Sequence, residues 1–352
     1  MFLLSAVAFI VVFGLVVLVH EAGHFLVARR AGIRVLEFGI GYPPRLKTLG
    51  VRNGVEYTLN ALPLGGFVRM LGDEDPSDPG SFASKSARAR IGTLLAGPAM
   101  NFVLAAVIFA GLLMFVGRGV PTGQVQVQSV ALDSPALDAG LRSGDVIVQL
   151  AGHEITSAVA LAQYTRAALG QEVELAFLRD GERISVRLIP RVNPPQGQGA
   201  MGIVMGEIVR QVRYPMWEAI PLGLLEAWKM VILVAASLIS VLRGAVPVQE
   251  MAGPIGIAQA SGEVARLGLL QLLEFTAGIS VNLAFINVLP LPILDGGRAL
   301  LILVEKLRGG KRLAPQRQVY AQLISLMLIL SLVLVFSYFD IVRILAGQRI
   351  LR

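Results

Sequence analysis

The sequence contains no cysteine and only three histidines among its 352 residues. The lack of cysteine excludes disulfide bonds, a thiol nucleophile, cysteine-ligated zinc and iron–sulfur clusters. Charged residues are also scarce, at 16% against about 25% in soluble globular domains. Apolar residues make up 55% of the chain, and the mean hydropathy is +0.68. A soluble enzyme is therefore disfavoured, and a metal ion would have to bind His, Asp or Glu.

The net charge of +7 is spread between apolar segments and does not collect in one polar region. We therefore expect no nucleic-acid partner, and the basic residues instead indicate membrane topology. The apolar residues occur in blocks, and a helix that crosses a bilayer needs about 20 of them. Four spans are predicted, at residues 2–28, 91–116, 267–294 and 319–339.

Two other segments are β-prone, because apolar and polar residues alternate along them. Residues 118–192 predict a soluble β-rich domain, with Asp180-Gly181 as a hairpin turn. Residues 34–71 predict a small β hairpin at the membrane surface. Residues 216–242 are ambiguous, since charged residues interrupt the first half of an apolar stretch, and either a span or an interfacial amphipathic helix fits them.

The predicted fold class is therefore a multi-pass α-helical membrane protein of four spans, with an inserted β-rich domain and a small surface hairpin. Its predicted regions are 1–117 with the first two spans and the hairpin, 118–192 with the β-rich domain, 193–265 with a linker and the ambiguous helix, and 266–352 with the last two spans.

The first span ends in the motif His20-Glu21-Ala22-Gly23-His24. Helical spacing turns both histidines to one face, as in a bidentate zinc site, and the glutamate between them suits the role of a general base. Chance occurrence is the alternative. Three polar groups inside an apolar helix are costly without partners, which favours a metal site.

A catalytic zinc usually has three protein ligands. His153 is disfavoured as the third, because it falls in a turn of the β-rich domain, where a solvated surface histidine is the simpler interpretation. Asp295 is the leading candidate, since it follows the third span between Leu-Pro-Leu-Pro-Ile-Leu and Gly-Gly. The alternative for Asp295 is a turn that merely ends the span.

Charge placement tests this pairing, because the ligands must lie on one side of the bilayer. Residues 29–90 carry ten Lys and Arg, and residues 298–317 carry six, so both loops are predicted to be cytoplasmic. Residues 216–242 then cannot be a full crossing and should lie in or dip into the outer interface. Both termini and the β-rich domain are predicted to be extracytoplasmic.

The chain resembles the site-2 protease family of intramembrane zinc metalloproteases. The resemblance covers nearly the whole length through five motifs, which are HEAGH (20–24), PLGGFVRMLGD (63–73), GPAMN (97–101), GPIGIA (253–258) and NVLPLPILDGG (287–297). It implies Zn²⁺ held by His20, His24 and Asp295, with Glu21 as the catalytic base. It further implies regulated intramembrane proteolysis in the bacterial inner membrane.

The substrates that the resemblance implies are single-span membrane proteins, such as anti-sigma factors or signal-peptide remnants, which a site-1-type protease has already shortened. The β-rich domain is similar to a bacterial PDZ domain, through Ser134-Pro135-Ala136 and Gly144-Asp145-Val146-Ile147 among others. The sigma-E regulator branch carries two tandem PDZ domains, whereas this chain has room for one. Peptide capture and exclusion of bulky ectodomains are equally open roles for it.

A helical substrate must be held extended before its amide bonds can be attacked. An exposed strand edge would do this, and the predicted edge contains Gly66, Phe67 and Val68. A plain surface hairpin is the alternative.

Polar and proline residues near the third span are further candidates for substrate binding. Asn282 and Asn287 would bond the substrate backbone or tie spans together, and for Asn287 we favour a substrate or oxyanion contact. Pro290 and Pro292 break the helix, which would free carbonyl groups and let Asp295 turn toward the metal. Asn101 is interpreted as a packing residue.

Two other functions were considered. A non-catalytic membrane scaffold that presents a PDZ domain would have no use for Glu21 beside two histidines. A metal transporter would need polar residues spread across several spans, whereas here they collect at one depth.

Overall fold

The computed structural model describes residues 2–72, 77–247, 249, 251–309 and 314–347, so Asp73 of the PLGGFVRMLGD motif lies outside the described residues. The helices are α1 (Phe2–Arg30), α2 (Ala87–Phe115), α3 (Pro135–Asp138), α4 (Ala158–Ala167), α5 (Met216–Leu242), α6 (Pro254–Leu267), α7 (Leu269–Val288), α8 (Asp295–Leu307) and α9 (Pro315–Leu345). The strands are β1 (Val35–Arg52), β2 (Val55–Met70), β3 (Arg118–Val130), β4 (Val146–Leu150), β5 (His153–Glu154), β6 (Val173–Arg179), β7 (Glu182–Leu188) and β8 (Ile203–Val212).

Two compact units make up the chain. One contains residues Met1–Met114 and Pro215–Arg352, and the other contains Phe115–Tyr214. The first unit holds the long apolar helices and the second is β-rich. The predicted fold class, a multi-pass helical membrane protein with an inserted β-rich domain, is confirmed.

Five helices within the described residues are long and apolar enough to cross a membrane, one more than the four predicted. The additional helix is α5, which was expected to lie at the interface. It packs lengthwise on α2, where a Cβ on Gly223 would lie 2.6 Å from the Ala106 carbonyl oxygen. Small residues at a spacing of four, Ala219, Gly223 and Ala227, are all buried and allow this approach.

The direction of α5 within the helical unit follows from its contacts with α2. It runs antiparallel to α2, since Gly223 faces Ala106 and Ala110 while Trp228 contacts Phe102 nearer the start of α2. The next helix, α6, lies at the other end of the bundle, where Gly262 packs on Ser5 near the start of α1. Because α1 and α2 are also antiparallel, the chain returns to the end at which α5 began.

The small sheet consists of β1 and β2, which fold back on themselves. Residues 37–40 pair with residues 56–59 on one side and with residues 66–69 on the other, so residues 66–69 form an edge of the sheet. Glu37 is buried at 5% exposure and joins the strands, because Arg45 and Thr58 both donate to its carboxylate. Burial opposes its charge, but these donors lower the pKa of Glu37 overall.

The β-rich unit is a sheet in the order β7-β6-β4-β3-β8, with β5 paired to β4. Its core contains Leu141, Ile147, Leu161, Leu175 and Phe177, each at most 1% exposed. The unit extends past the predicted end at residue 192, because β8 pairs with β3 over residues 203–212. The stretch from residue 193 onward that was predicted as a linker is therefore a connection within the sheet, and the domain ends near Tyr214.

Candidate metal centre

Helix α1 presents His20 and His24 from successive turns of one face. Their rings contact each other edge to face with centroids 4.8 Å apart, and both residues are buried at 6% and 7% exposure. The helix continues six residues beyond His24 to Arg30, which places the motif inside the apolar helix and near its basic end.

Asp295 reaches the histidines because the chain breaks between α7 and α8. Pro290 and Pro292 lie in this break, and Asp295 is the first residue of α8. The following glycines permit the tight turn, since a Cβ on Gly296 would overlap the Val288 carbonyl oxygen and one on Gly297 would overlap that of Leu291. The sequence LPLPILDGG thus fixes the aspartate beside α1.

The three side chains converge on one point. Nε2 of His20 lies 3.1 Å from Nε2 of His24, and Oδ2 of Asp295 lies 3.0 Å from the first and 3.3 Å from the second. Tetrahedral zinc with ligands at about 2.0–2.1 Å holds them about 3.3 Å apart, so the donor set fits a zinc ion. Among the described residues, these three form the group that could hold a metal.

Gly97 on α2 keeps the space in front of these donors open. A Cβ at this position would lie 2.6 Å from Nε2 of His20 and closer still to Nε2 of His24. Gly23 on α1 likewise sits against the Ala96 carbonyl group, so α1 and α2 approach each other closely at this level. The two glycines make room for the imidazole rings and for an ion between them.

Each histidine also has a partner on its outer nitrogen. Nδ1 of His24 donates to the backbone oxygen of Thr93 at 2.8 Å, which leaves Nε2 as a lone-pair donor. Nδ1 of His20 lies 3.2 Å from the Asn101 amide, and Asn101 is fully buried. The sequence interpretation of Asn101 as a packing residue missed this contact. Its signal was the spacing of four from Gly97, which puts both residues on one face of α2.

Glu21 points toward the edge of the small sheet. The backbone of Val68, in the edge segment that contains Gly66 and Phe67, lies near the carboxylate of Glu21. Gly66 lies against Leu18 of α1, which brings this segment alongside the helix. The free edge that the sequence predicted is thus next to the candidate base.

The sequence did not decide which groups the two asparagines of α7 bind, and the structure shows their hydrogen-bond partners. The Nδ2 of Asn282 donates to the Gly278 carbonyl, and that of Asn287 donates to the Leu283 carbonyl, each at 3.0 Å. Both bonds lie within α7, so these amides are partly occupied by their own helix. A substrate or oxyanion contact for Asn287 has no support from these bonds. His153 stacks on Tyr164 in the β-rich unit and is outside the donor cluster.

Comparison with known proteins shows which family the chain matches. The model of peptidase family M50 matches residues 8–332. A protein of Clostridium acetobutylicum described as a candidate zinc metalloprotease is 32% identical over 335 residues, which cover 95% of this chain and 96% of that protein. The regulator of sigma-W protease RasP of Bacillus subtilis is 26% identical over 427 residues, which cover 98% and 100%.

A solved structure also matches part of the chain. The PDZ domain of an SdrC-like protein from Listeria monocytogenes is 24% identical, with coverage of 24% of this chain and 90% of that one and a TM-score of 0.22.

Proposed function

The chain belongs to peptidase family M50 and is a multi-pass membrane peptidase, and from this premise we propose that it cuts membrane-embedded peptides at a zinc ion held by His20, His24 and Asp295. The observation that carries the proposal is that donor atoms of His20 and His24 on α1 and of Asp295 on α8 lie 3.0–3.3 Å from one another. Asp295 follows His20 by 275 residues in the sequence. The zinc metalloprotease names of the relatives support the choice of metal.

The chemistry requires a base, a metal and an open position. His20, His24 and Asp295 would hold a zinc ion that would polarise the substrate carbonyl group and lower the pKa of a water molecule. Glu21 accepts a proton from the attacking water as its oxygen adds to the scissile carbonyl carbon. The same carboxyl group then gives the proton to the amide nitrogen as the C–N bond breaks. Gly97 leaves the space in which the substrate carbonyl meets these groups.

The edge segment of the small sheet supplies a place for the substrate. Among the residues that the structure describes, Gly66, Phe67 and Val68 pair with β1 on one side only, and Val68 lies near Glu21. We propose that an extended substrate segment adds to this edge, which exposes its amide bonds beside the base. Pro290 and Pro292 lie in the break between α7 and α8 that precedes Asp295, where they would line the approach of the substrate. Asn282 and Asn287 would have to break their bonds within α7 to bind substrate.

The proposed location rests on the placement of Lys and Arg along the chain, and the proposed substrates rest on the family. We propose that the loops bearing Arg29–Arg90 and Arg298–Arg317 face the cytoplasm of a bacterial cell, so that both termini and the β-rich unit are extracytoplasmic. The substrates would be single-span proteins, such as anti-sigma factors or signal-peptide remnants, after a site-1-type protease has shortened them. The β-rich unit would act as a PDZ domain that captures peptide ends or excludes bulky ectodomains.

The test is cleavage of a single-span reporter with a short ectodomain by purified, reconstituted protein. We expect cleavage by the wild type, loss of cleavage with retained zinc in Glu21→Gln, and loss of both in Asp295→Asn. Glu274→Gln makes the same change at an exposed position of α7 and should leave cleavage unchanged. Equal cleavage by wild type, Glu21→Gln and Asp295→Asn would contradict the mechanism, and a non-catalytic scaffold would cleave in none and need no zinc.

A further inference from the structure

The two histidines of the metal centre are held by different kinds of partner. Nδ1 of His24 bonds to the backbone oxygen of Thr93, a group that no substitution removes. Nδ1 of His20 instead faces the side chain of Asn101 at 3.2 Å. The orientation of His20 therefore depends on one replaceable amide, which is itself fully buried.

The tautomer of His20 decides which amide atom must face it. If Nε2 binds a metal it carries no proton, so the proton of the neutral ring is on Nδ1 and needs an acceptor. A half turn about the Cβ–Cγ bond exchanges the oxygen and nitrogen of an asparagine amide. Which atom occupies which position is assigned from the hydrogen-bond network. As placed, Nδ2 faces the ring, and the buried Oδ1 has no partner within the described part of the chain. The exchanged amide gives the ring proton its acceptor.

We propose that Asn101 is a positioning residue, whose Oδ1 accepts the Nδ1 proton of His20 and holds Nε2 of that ring in the lone-pair form that binds the metal. The proposal rests on the ligand set given above. Ser280 of α7 donates to the backbone carbonyl oxygen of Asn101 at 2.8 Å, a neighbouring bond that does not involve the side-chain amide. Gly97, one turn earlier, leaves the ring unobstructed.

The expected effect lies in zinc affinity more than in folding. Partners of a metal-bound histidine typically change metal affinity by about 10–100-fold when removed, because the ring loses both its orientation and part of its basicity. A packing role would instead make any loss of affinity follow the loss of thermal stability. Variants that change the hydrogen-bond acceptor and the size of the side chain separately therefore distinguish a positioning role from a packing role.

The experiment measures the zinc dissociation constant of the full-length, detergent-solubilised protein by competition with a chromophoric chelator. Asn101→Leu keeps the number and branching of the side-chain heavy atoms and removes the acceptor, whereas Asn101→Asp keeps the shape and retains an acceptor. Ser280→Ala removes the neighbouring bond to the Asn101 backbone and serves as the matched control. Melting temperatures of the same samples without added metal report any purely structural effect. Asn101→Ala replaces Asn101→Leu if the latter does not fold.

We expect the dissociation constant to rise about 10–100-fold in Asn101→Leu and to stay within about threefold of wild type in Asn101→Asp and Ser280→Ala. Unchanged affinity in Asn101→Leu, or equal losses in the Asp and Leu variants, would overturn the assignment of Asn101 alone. Failure of the wild type itself to bind zinc would overturn the proposed metal centre and this inference with it.

Discussion

Replacement of Gly97 by alanine should abolish the metal centre with a single methyl group. The new Cβ would lie 2.6 Å from Nε2 of His20, about 0.8 Å short of the 3.4 Å at which ordinary contact begins, and closer still to Nε2 of His24. Both rings belong to α1, which already touches α2 at Gly23 and Ala96, so neither helix can retreat without losing this contact. The methyl group would therefore displace the donor atoms or occupy the position of the ion.

The size of the effect follows from coordination geometry. Metal–ligand distances tolerate about 0.2 Å of error, and the required displacement is several times larger. We expect the zinc dissociation constant to rise at least about 100-fold, which corresponds to about 2.8 kcal/mol. Chelator competition on the purified protein measures this change, and circular dichroism shows whether the helices remain.

Two glycines of the same helix provide matched controls. A Cβ on Gly92 or Gly111 would meet nothing within 4 Å in the described part of the chain. Glycine inside a helix costs about 0.5–1 kcal/mol relative to alanine, so Gly92→Ala and Gly111→Ala should be neutral or slightly stabilising and should bind zinc normally. A dissociation constant in Gly97→Ala within about threefold of wild type would refute the reasoning, because the ion could not then lie where the structure puts its ligands.

Three further predictions concern topology, the β-rich unit and α5. Since the chain lacks cysteine, an impermeant maleimide applied to whole cells should label Gln171→Cys and spare Arg88→Cys, and the reverse pattern would overturn the proposed orientation. Burial opposes the charge of Asp145, but Arg179 pairs with it at 2.7 Å, and the pKa of Asp145 is lowered overall. The ion pair therefore stabilises the folded state fully above the unfolded pKa of about 3.9, and this stabilisation is lost as the pH falls through the lower folded pKa. Asp145→Asn should therefore lower the free energy of unfolding of the β-rich unit by about 2 kcal/mol at pH 7 and by progressively less below pH 4, as measured by hydrogen exchange in the full chain. A decrease that does not depend on pH would contradict this prediction. Gly223→Leu should separate α5 from α2 and lower the melting temperature, while the same change at exposed Gly92 should not.

The sequence predicted the helical part of the structure well, because long apolar blocks and helical spacing are local signals. The spacing of His20 and His24 placed both on one face of α1, and charge placement favoured Asp295 as their partner, which in the structure lies 3.0 Å from His20. Their role as zinc ligands stays a prediction. The family resemblance is confirmed by the match of the M50 model over residues 8–332.

The features that the sequence missed depend on distant partners. Strand β8 follows a proline- and glycine-rich connection, and its partner β3 precedes it by about 80 residues, so the β-rich domain seemed to end at residue 192. The sequence did not show that the small residues of α5 pack on α2, although Glu226 and Lys229 interrupt this helix and pair with each other at 2.9 Å. Asn101 resembles any buried amide until His20 is seen beside it.

The most direct test of the metal centre is the zinc K-edge X-ray absorption spectrum of the purified wild-type protein. We predict one zinc per chain, with a first shell of nitrogen and oxygen at about 2.0–2.1 Å and the outer-shell scattering of two imidazole rings. The signal of two rings should fall to one in His24→Ala, and zinc occupancy should fall in Asp295→Asn. A protein that binds no zinc, or a bound zinc whose spectrum contains no imidazole scattering, would contradict the assignment of His20, His24 and Asp295 as the site at which this peptidase works.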